Sequence, residues 1–116
     1  MTVKQRADRR IVATGTAPTV VYDMEGPAQP EIGLINLSYD RARGEGAYFM
    51  RMSPGSVTIA HTHAGFEDFL ILEGEVIESD GTVLRAGDVV SYAPGTHHNS
   101  RTETGCVLIG FDWKPA

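Results

Sequence analysis

The chain has 116 residues, 41% hydrophobic and 22% charged, with a formal net charge of −5; that is one domain, long enough to bury a core without staples. Its one cysteine, Cys106, excludes an intrachain disulfide. No apolar run reaches the ~20 residues of a spanning helix, and no apolar stretch follows the basic start as in a signal peptide, so the expectation is a cytoplasmic protein with no membrane partner.

The first ten residues hold Lys4, Arg6, Arg9 and Arg10 against Asp8, a balance of +3 that leaves −8 on the rest. Residues 1–15 read as a basic tail or arm, and residues 16–116 as the folded domain. An acidic body argues against nucleic acid as a partner.

Beyond the arm, helical periodicity is nearly absent, and short β-prone runs recur between turn residues. Thr19 to Tyr22 is the first run, followed by a loop over Glu25 to Pro30, where two prolines and a glycine disfavour both ladder and helix. Strands are predicted over Ile32 to Tyr39, Ala47 to Met52 and Ser56 to His63, with turns at 41–46 and 53–55. Glu67 to Leu72 is the next strand, and Gly74 allows a tight reversal into Glu75 to Glu78. Asp80-Gly81 signals a hairpin. Thr82 to Leu84, Asp88 to Tyr92, His97 to Arg101 and Cys106 to Trp113 complete an all-β pattern of sandwich or barrel spacing.

All four histidines fall in two short windows. His61 and His63 are two apart in a β-prone run, and side chains at i and i+2 of a strand share a face. Glu67 follows a turn at Ala64-Gly65 and can face both imidazoles from the adjacent strand. His97 and His98 come far downstream, and an extended segment turns only one of them inward. Three imidazoles and a carboxylate suit one divalent transition metal (Fe, Mn, Ni, Zn, Co or Cu) better than calcium or magnesium. Four protein ligands on an octahedral ion leave two open positions. Protons should compete for the imidazoles as the pH falls toward roughly 5.

The run Gly55-Ser56-Val57-Thr58-Ile59-Ala60-His61-Thr62-His63-Ala64-Gly65-Phe66-Glu67, continuing to Gly74, resembles the first motif of the cupins at every fixed position. Gly87-Asp88-Val89-Val90 and Pro94-Gly95-Thr96-His97-His98 resemble the second. Two departures stand in it: Pro94 directly precedes Gly95, where the family often spaces them, and Thr102 stands where an asparagine is expected. The chain looks like a small single-domain cupin, of the type named Cupin_2. It has a lesser similarity to the cupin domain of ChrR-type anti-sigma factors and to dioxygenase-like cupins that cleave diketones. The resemblance implies a double-stranded β-helix, the jelly-roll barrel, and metal ligands His61, His63, Glu67 and His98, with His97 left outside. It leaves no room here for the helical sigma-binding domain of the ChrR regulators.

Alternation places Tyr48, Met50 and Met52 on one strand face and Phe49 and Arg51 on the other. Ile59, Phe69, Ile71 and Val89 are expected in the core, and Cys106 as a small buried residue. If Glu67, Phe69 and Ile71 face in, Leu70 and Leu72 face out, and cupins commonly dimerise, so a homodimer is expected. The function expected from the resemblance is a metal-dependent oxygenase acting on a small dicarbonyl or phenolic substrate. The alternative is a sensor or small-molecule-binding cupin without turnover. No catalytic acid or base stands out, and no organic cofactor is expected.

Overall fold

The computed structural model describes residues 3–6 and 9–115, with side chains from Arg9 onward. Asp8 of the basic arm and Ala116 at the end of the barrel domain lie outside the described residues. The described residues form strands and no helix, and therefore no helix long and apolar enough to cross a membrane. Within the arm, β1 (Val3–Arg6) and β2 (Arg9–Val12) pair only with each other.

The body is one curled antiparallel sheet. Its strands are β3 (Val20–Tyr22), β4 (Gln29–Asn36), β5 (Gly46–Met52), β7 (Phe66–Glu78), β8 (Val83–Arg85), β9 (Val89–Tyr92), β11 (Ser100–Arg101) and β12 (Cys106–Trp113). The order is β11-β7-β12-β5-β4-β3, with β8 and β9 also paired to β7. A separate two-stranded strip joins β6 (His61–Thr62) to β10 (His97–His98). The strand expected over Ser56 to His63 is thus regular only at its end. Upstream, Val57 makes an isolated bridge to Arg101, and Thr58 bonds Ser100. β4 begins at Gln29, inside the expected loop. Tyr22 pairs with Gln29 and Ile32 with Met52, so Pro30, which has no N–H to give, sits in a stretch with no Cα partner.

Cross-strand register builds the core row by row. Leu34, Met50, Leu108 and Ile71 are successive neighbours across four strands, and all four are buried. Tyr48, Met50 and Met52 therefore face the barrel interior, while Arg51 lies over Phe49 on the other side, 4.9 Å from its ring centroid. Cys106 is buried in the core as expected, and burial raises its thiol to about 11. Val89 is not in the core: it is 66% exposed, because its partner Leu70 is on the outer face of β7.

The reversal expected at Gly74 does not occur; β7 runs through it. Against β12, Ile71 pairs with Leu108 but Glu73 pairs with Val107, so Leu72 is an extra residue bulged out of the ladder. The bulge exchanges the faces of the strand. Glu67, Phe69 and Ile71 are buried before it, Val76 and Glu78 after it. Gly74 has φ of +75°, and a Cβ there would lie 2.0 Å from the carbonyl oxygen of Gly105. Glycine is needed at this close approach of β12, not at a turn.

Candidate metal centre

The strip places the donors. His61 and His98 are direct cross-strand partners in β6 and β10, and Glu67 projects from the start of β7. His63 is outside the ladder, but its backbone is laced to the opposite loop. Its N–H donates to Thr96 O and its carbonyl accepts from Gly95 N–H, each at 2.9 Å. One donor atom from each of His61, His63, Glu67 and His98 lies within 4.8 Å of every other, a group that could hold a metal ion. His97 points away, 35 residues on from Thr62 whose hydroxyl is 3.0 Å from its Nδ1; it is exposed. The structure brings together all four residues read from the sequence.

The imidazoles are oriented by their outer nitrogens. His61 Nδ1 is 2.9 Å from the carbonyl oxygen of Ile59, which can only accept, so Nδ1 carries a proton. His63 Nδ1 is 2.9 Å from Thr96 Oγ1, and the Thr96 hydroxyl donates to Ala93 O at 2.6 Å. With its hydrogen committed, that oxygen accepts, so His63 Nδ1 is also protonated. His98 Nδ1 donates to Glu78 Oε1 at 3.0 Å. In the neutral form of each ring, the lone pair is therefore on Nε2. All three Nε2 atoms converge on the Glu67 carboxylate, at 3.4, 3.3 and 3.2 Å for His61, His63 and His98. His63 Nε2 is buried with no hydrogen-bond partner, an orphaned lone pair of the kind an ion satisfies.

Electrostatics without an ion agree. Burial opposes the charge on His98, but hydrogen bonds to Glu67 and Glu78 outweigh it and hold the ring up to about 9. Burial opposes ionisation of Glu67 as well. Hydrogen bonds from His61 and His98, with His63 Nε2 3.3 Å away, overcome it and hold the carboxyl far below the usual carboxylate range. The protonated His98 ring thus supplies beside Glu67 the positive charge that a bound cation would bring.

Four residues to which the sequence reading gave no role at the site complete it. Glu78 is buried and accepts from His98, from the Tyr92 hydroxyl at 2.6 Å and from the Ser100 hydroxyl. Thr96 sets the His63 tautomer. Asp112, the β12 partner of Glu67, accepts from the Tyr48 hydroxyl at 3.3 Å, and burial together with Glu67 raises it to about 7. Glu25 lies in the loop after β3, 3.8 Å from His61 Nε2. The Leu72 bulge concealed Glu78, since strict alternation from Glu67 places residue 78 outside. Thr96 alone carried a signal, inside the second motif.

A cavity of about 30 Å³ on the barrel side holds little more than a water. The outer cleft is wider, about 170 Å³, and is lined by Glu25, Tyr39, His61, His63, Glu67 and Asp112 among others. It is the approach for anything larger than water.

The family model described as ChrR Cupin-like domain matches residues 19–115. The chain belongs to this cupin family. The ChrR-like similarity that the motifs ranked second is therefore the one that spans the cupin domain. No curated protein sequence matches. Among solved structures, a candidate ethanolamine utilization protein Q from Salmonella typhimurium matches this cupin with a TM-score of 0.76 and 20% identity. The match covers 99% of this chain and 94% of that one. A candidate acetylacetone dioxygenase from Methylibium petroleiphilum matches with a TM-score of 0.75 and 13% identity, covering 96% and 81%. The complex of Rhodobacter sphaeroides SigE with the anti-sigma ChrR matches with a TM-score of 0.61 and 19% identity, covering 71% and 45%. The cupin also spans 54% of a cupin-like chain from Ralstonia eutropha. At these identities the likeness shows the fold, which is the expected jelly-roll cupin barrel.

Proposed function

We propose that this cupin binds one divalent transition metal through His61, His63, Glu67 and His98, and acts as an oxygenase-type enzyme on a small dicarbonyl or phenolic compound entering by the outer cleft. The observation that carries the metal reading is the tautomer set. Ile59 O, Thr96 Oγ1 and Glu78 hold three Nδ1–H groups, so three Nε2 lone pairs meet one carboxylate. Such a set leaves positions open on an octahedral ion, and the metal would supply Lewis acidity or redox chemistry there. The cupin's own residues orient the donors, and the closely packed barrel interior keeps bulk water to the cleft side.

A non-catalytic metal-dependent sensor is the second reading, and the match to the ChrR Cupin-like family favours it. Elemental analysis of protein from native growth, followed by oxygen uptake with diketones, quinols and phenols in the presence of the metal found, separates the two. Turnover of any of these supports the enzyme. Stoichiometric metal with no uptake leaves the sensor. Absence of metal, with no uptake of added Zn²⁺, Fe²⁺ or Co²⁺, would overturn both.

A further inference from the structure

Glu25 is a carboxylate that accepts no hydrogen bond from the described residues. Its side chain is 26% exposed, and among the described residues it makes no hydrogen bond. Among the described residues its one ion-pair partner is His61, through the same Nε2 atom that faces Glu67, at 3.8 Å. It lines both the barrel-side cavity and the outer cleft, so it stands between the donor cluster and the approach route. A carboxylate at the edge of the cleft with no protein donor is free to accept from whatever enters the cleft, water or ligand. Among the described residues no lysine or arginine forms an ion pair with Glu25. Lys114 is the one lysine or arginine lining either space, and its Nζ donates to Arg43 O at 2.8 Å. Glu67 and Asp112 add two further carboxyls to the cleft, Glu67 facing the three imidazoles and Asp112 engaged by Tyr48.

We propose that Glu25 accepts a hydrogen bond from the ligand bound at the open side of the centre, so that the site selects chelators that keep an N–H or O–H donor when bound, such as hydroxamates through their N–H and singly deprotonated catechols through their second O–H, over carboxylate dianions. The proposal rests on the metal reading above and names the ligand class of that site. Selectivity arises from both sides: a ligand that keeps a donor gives Glu25 a hydrogen bond, and a dianion brings further negative charge beside that carboxylate.

Two chelators of similar size test it, acetohydroxamic acid and oxalate, titrated into cobalt-loaded protein and followed by the visible cobalt absorption. Wild type should bind the hydroxamic acid at least tenfold more tightly than oxalate. Glu25→Gln, nearly identical in shape, should lose about tenfold for the hydroxamic acid and gain about tenfold for oxalate, because the amide can donate. Glu25→Asp, which keeps the charge, should still exclude oxalate. A gain of oxalate binding cannot come from a misfolded variant. The same preference in wild type and Glu25→Gln, or tighter oxalate binding by wild type, overturns the proposal. Failure of wild type to take up cobalt overturns the metal reading and the proposal with it.

Discussion

At the scale of single residues, the centre depends on what lies behind its donors. Glu78 holds His98 from the far side and is itself held by Tyr92 and Ser100. Loss of such a partner typically costs a ligand set roughly 10–100-fold in metal affinity. Glu78→Gln should therefore weaken Zn²⁺ by about that factor in competition with a chromogenic chelator, while His97→Ala leaves affinity unchanged. Equal affinities for wild type and Glu78→Gln would exclude the buried carboxylate from the site. The pH dependence follows from the two opposed shifts. His98 is raised above its unfolded value of about 6.5, so its contribution to metal-free stability is complete below that pH and is lost as the pH rises through about 9. Glu67 is lowered, so its contribution is present above about 4.3 and is lost only as the pH falls through its depressed value. The metal-free protein should melt highest between roughly pH 4.5 and 6.5 and progressively lower toward pH 9. Metal affinity should rise over that same interval, since His98 must be neutral to bind. Proton competition at His98 thus begins well above the pH of roughly 5 that unperturbed imidazoles suggest. A metal-free melting temperature that climbs from pH 6.5 to 9 would contradict the His98–Glu67–Glu78 arrangement.

At the scale of elements, two glycines hold strands at distances no side chain permits. A Cβ on Gly110 would lie 2.3 Å from the ring of Tyr48, the residue opposite it in β5. The bare backbone of β12 lets that ring lie across it and carry its hydroxyl to Asp112. Gly110→Ala should displace Tyr48 and lower the melting temperature, with a loss of about 1–3 kcal/mol as in other overpacked cores. Gly74→Ala should cost more, because the new Cβ meets backbone and the residue keeps a positive φ. Gly55→Ala, with a positive φ but open space around it, gives the comparison that separates strain from collision. Chemical denaturation of the three variants ranks them. These elements also mark where the sequence was legible. Alternation and turn residues located β5 and β12 nearly to the residue, and His-x-His with Glu67 located the donors, because these rest on the period of a strand. Pairing partners do not show in a single run. Gly74 was read as a turn because a positive φ serves turns and bulges alike, and Val89 as core because apolar character does not say which face a strand presents.

At the scale of the whole molecule, the four donors come from β6, the loop after it, β7 and β10, so an ion would tie the strip to the long strand of the sheet. Saturating metal at about a hundred times its dissociation constant should add about 2.7 kcal/mol, which for a domain of this size raises the melting temperature by roughly 10 °C. Scanning calorimetry with and without Zn²⁺ measures the shift; none at that excess would mean that the ion is not held by the folded cluster. The strip itself is joined by only two residue pairs, His97 with Thr62 and His98 with His61, whereas β12 is paired along its whole length with β7 and from Cys106 to Asp112 with β5. The residence time of an ion held there would then be governed by local opening, not by global unfolding. The amides of His63 and Gly95 should exchange with deuterium far faster than those of Ile71 and Leu108, and added ion should slow the first pair selectively. A substitution that strengthens the barrel would raise the temperature at which the protein melts and leave unchanged the rate at which the ion departs.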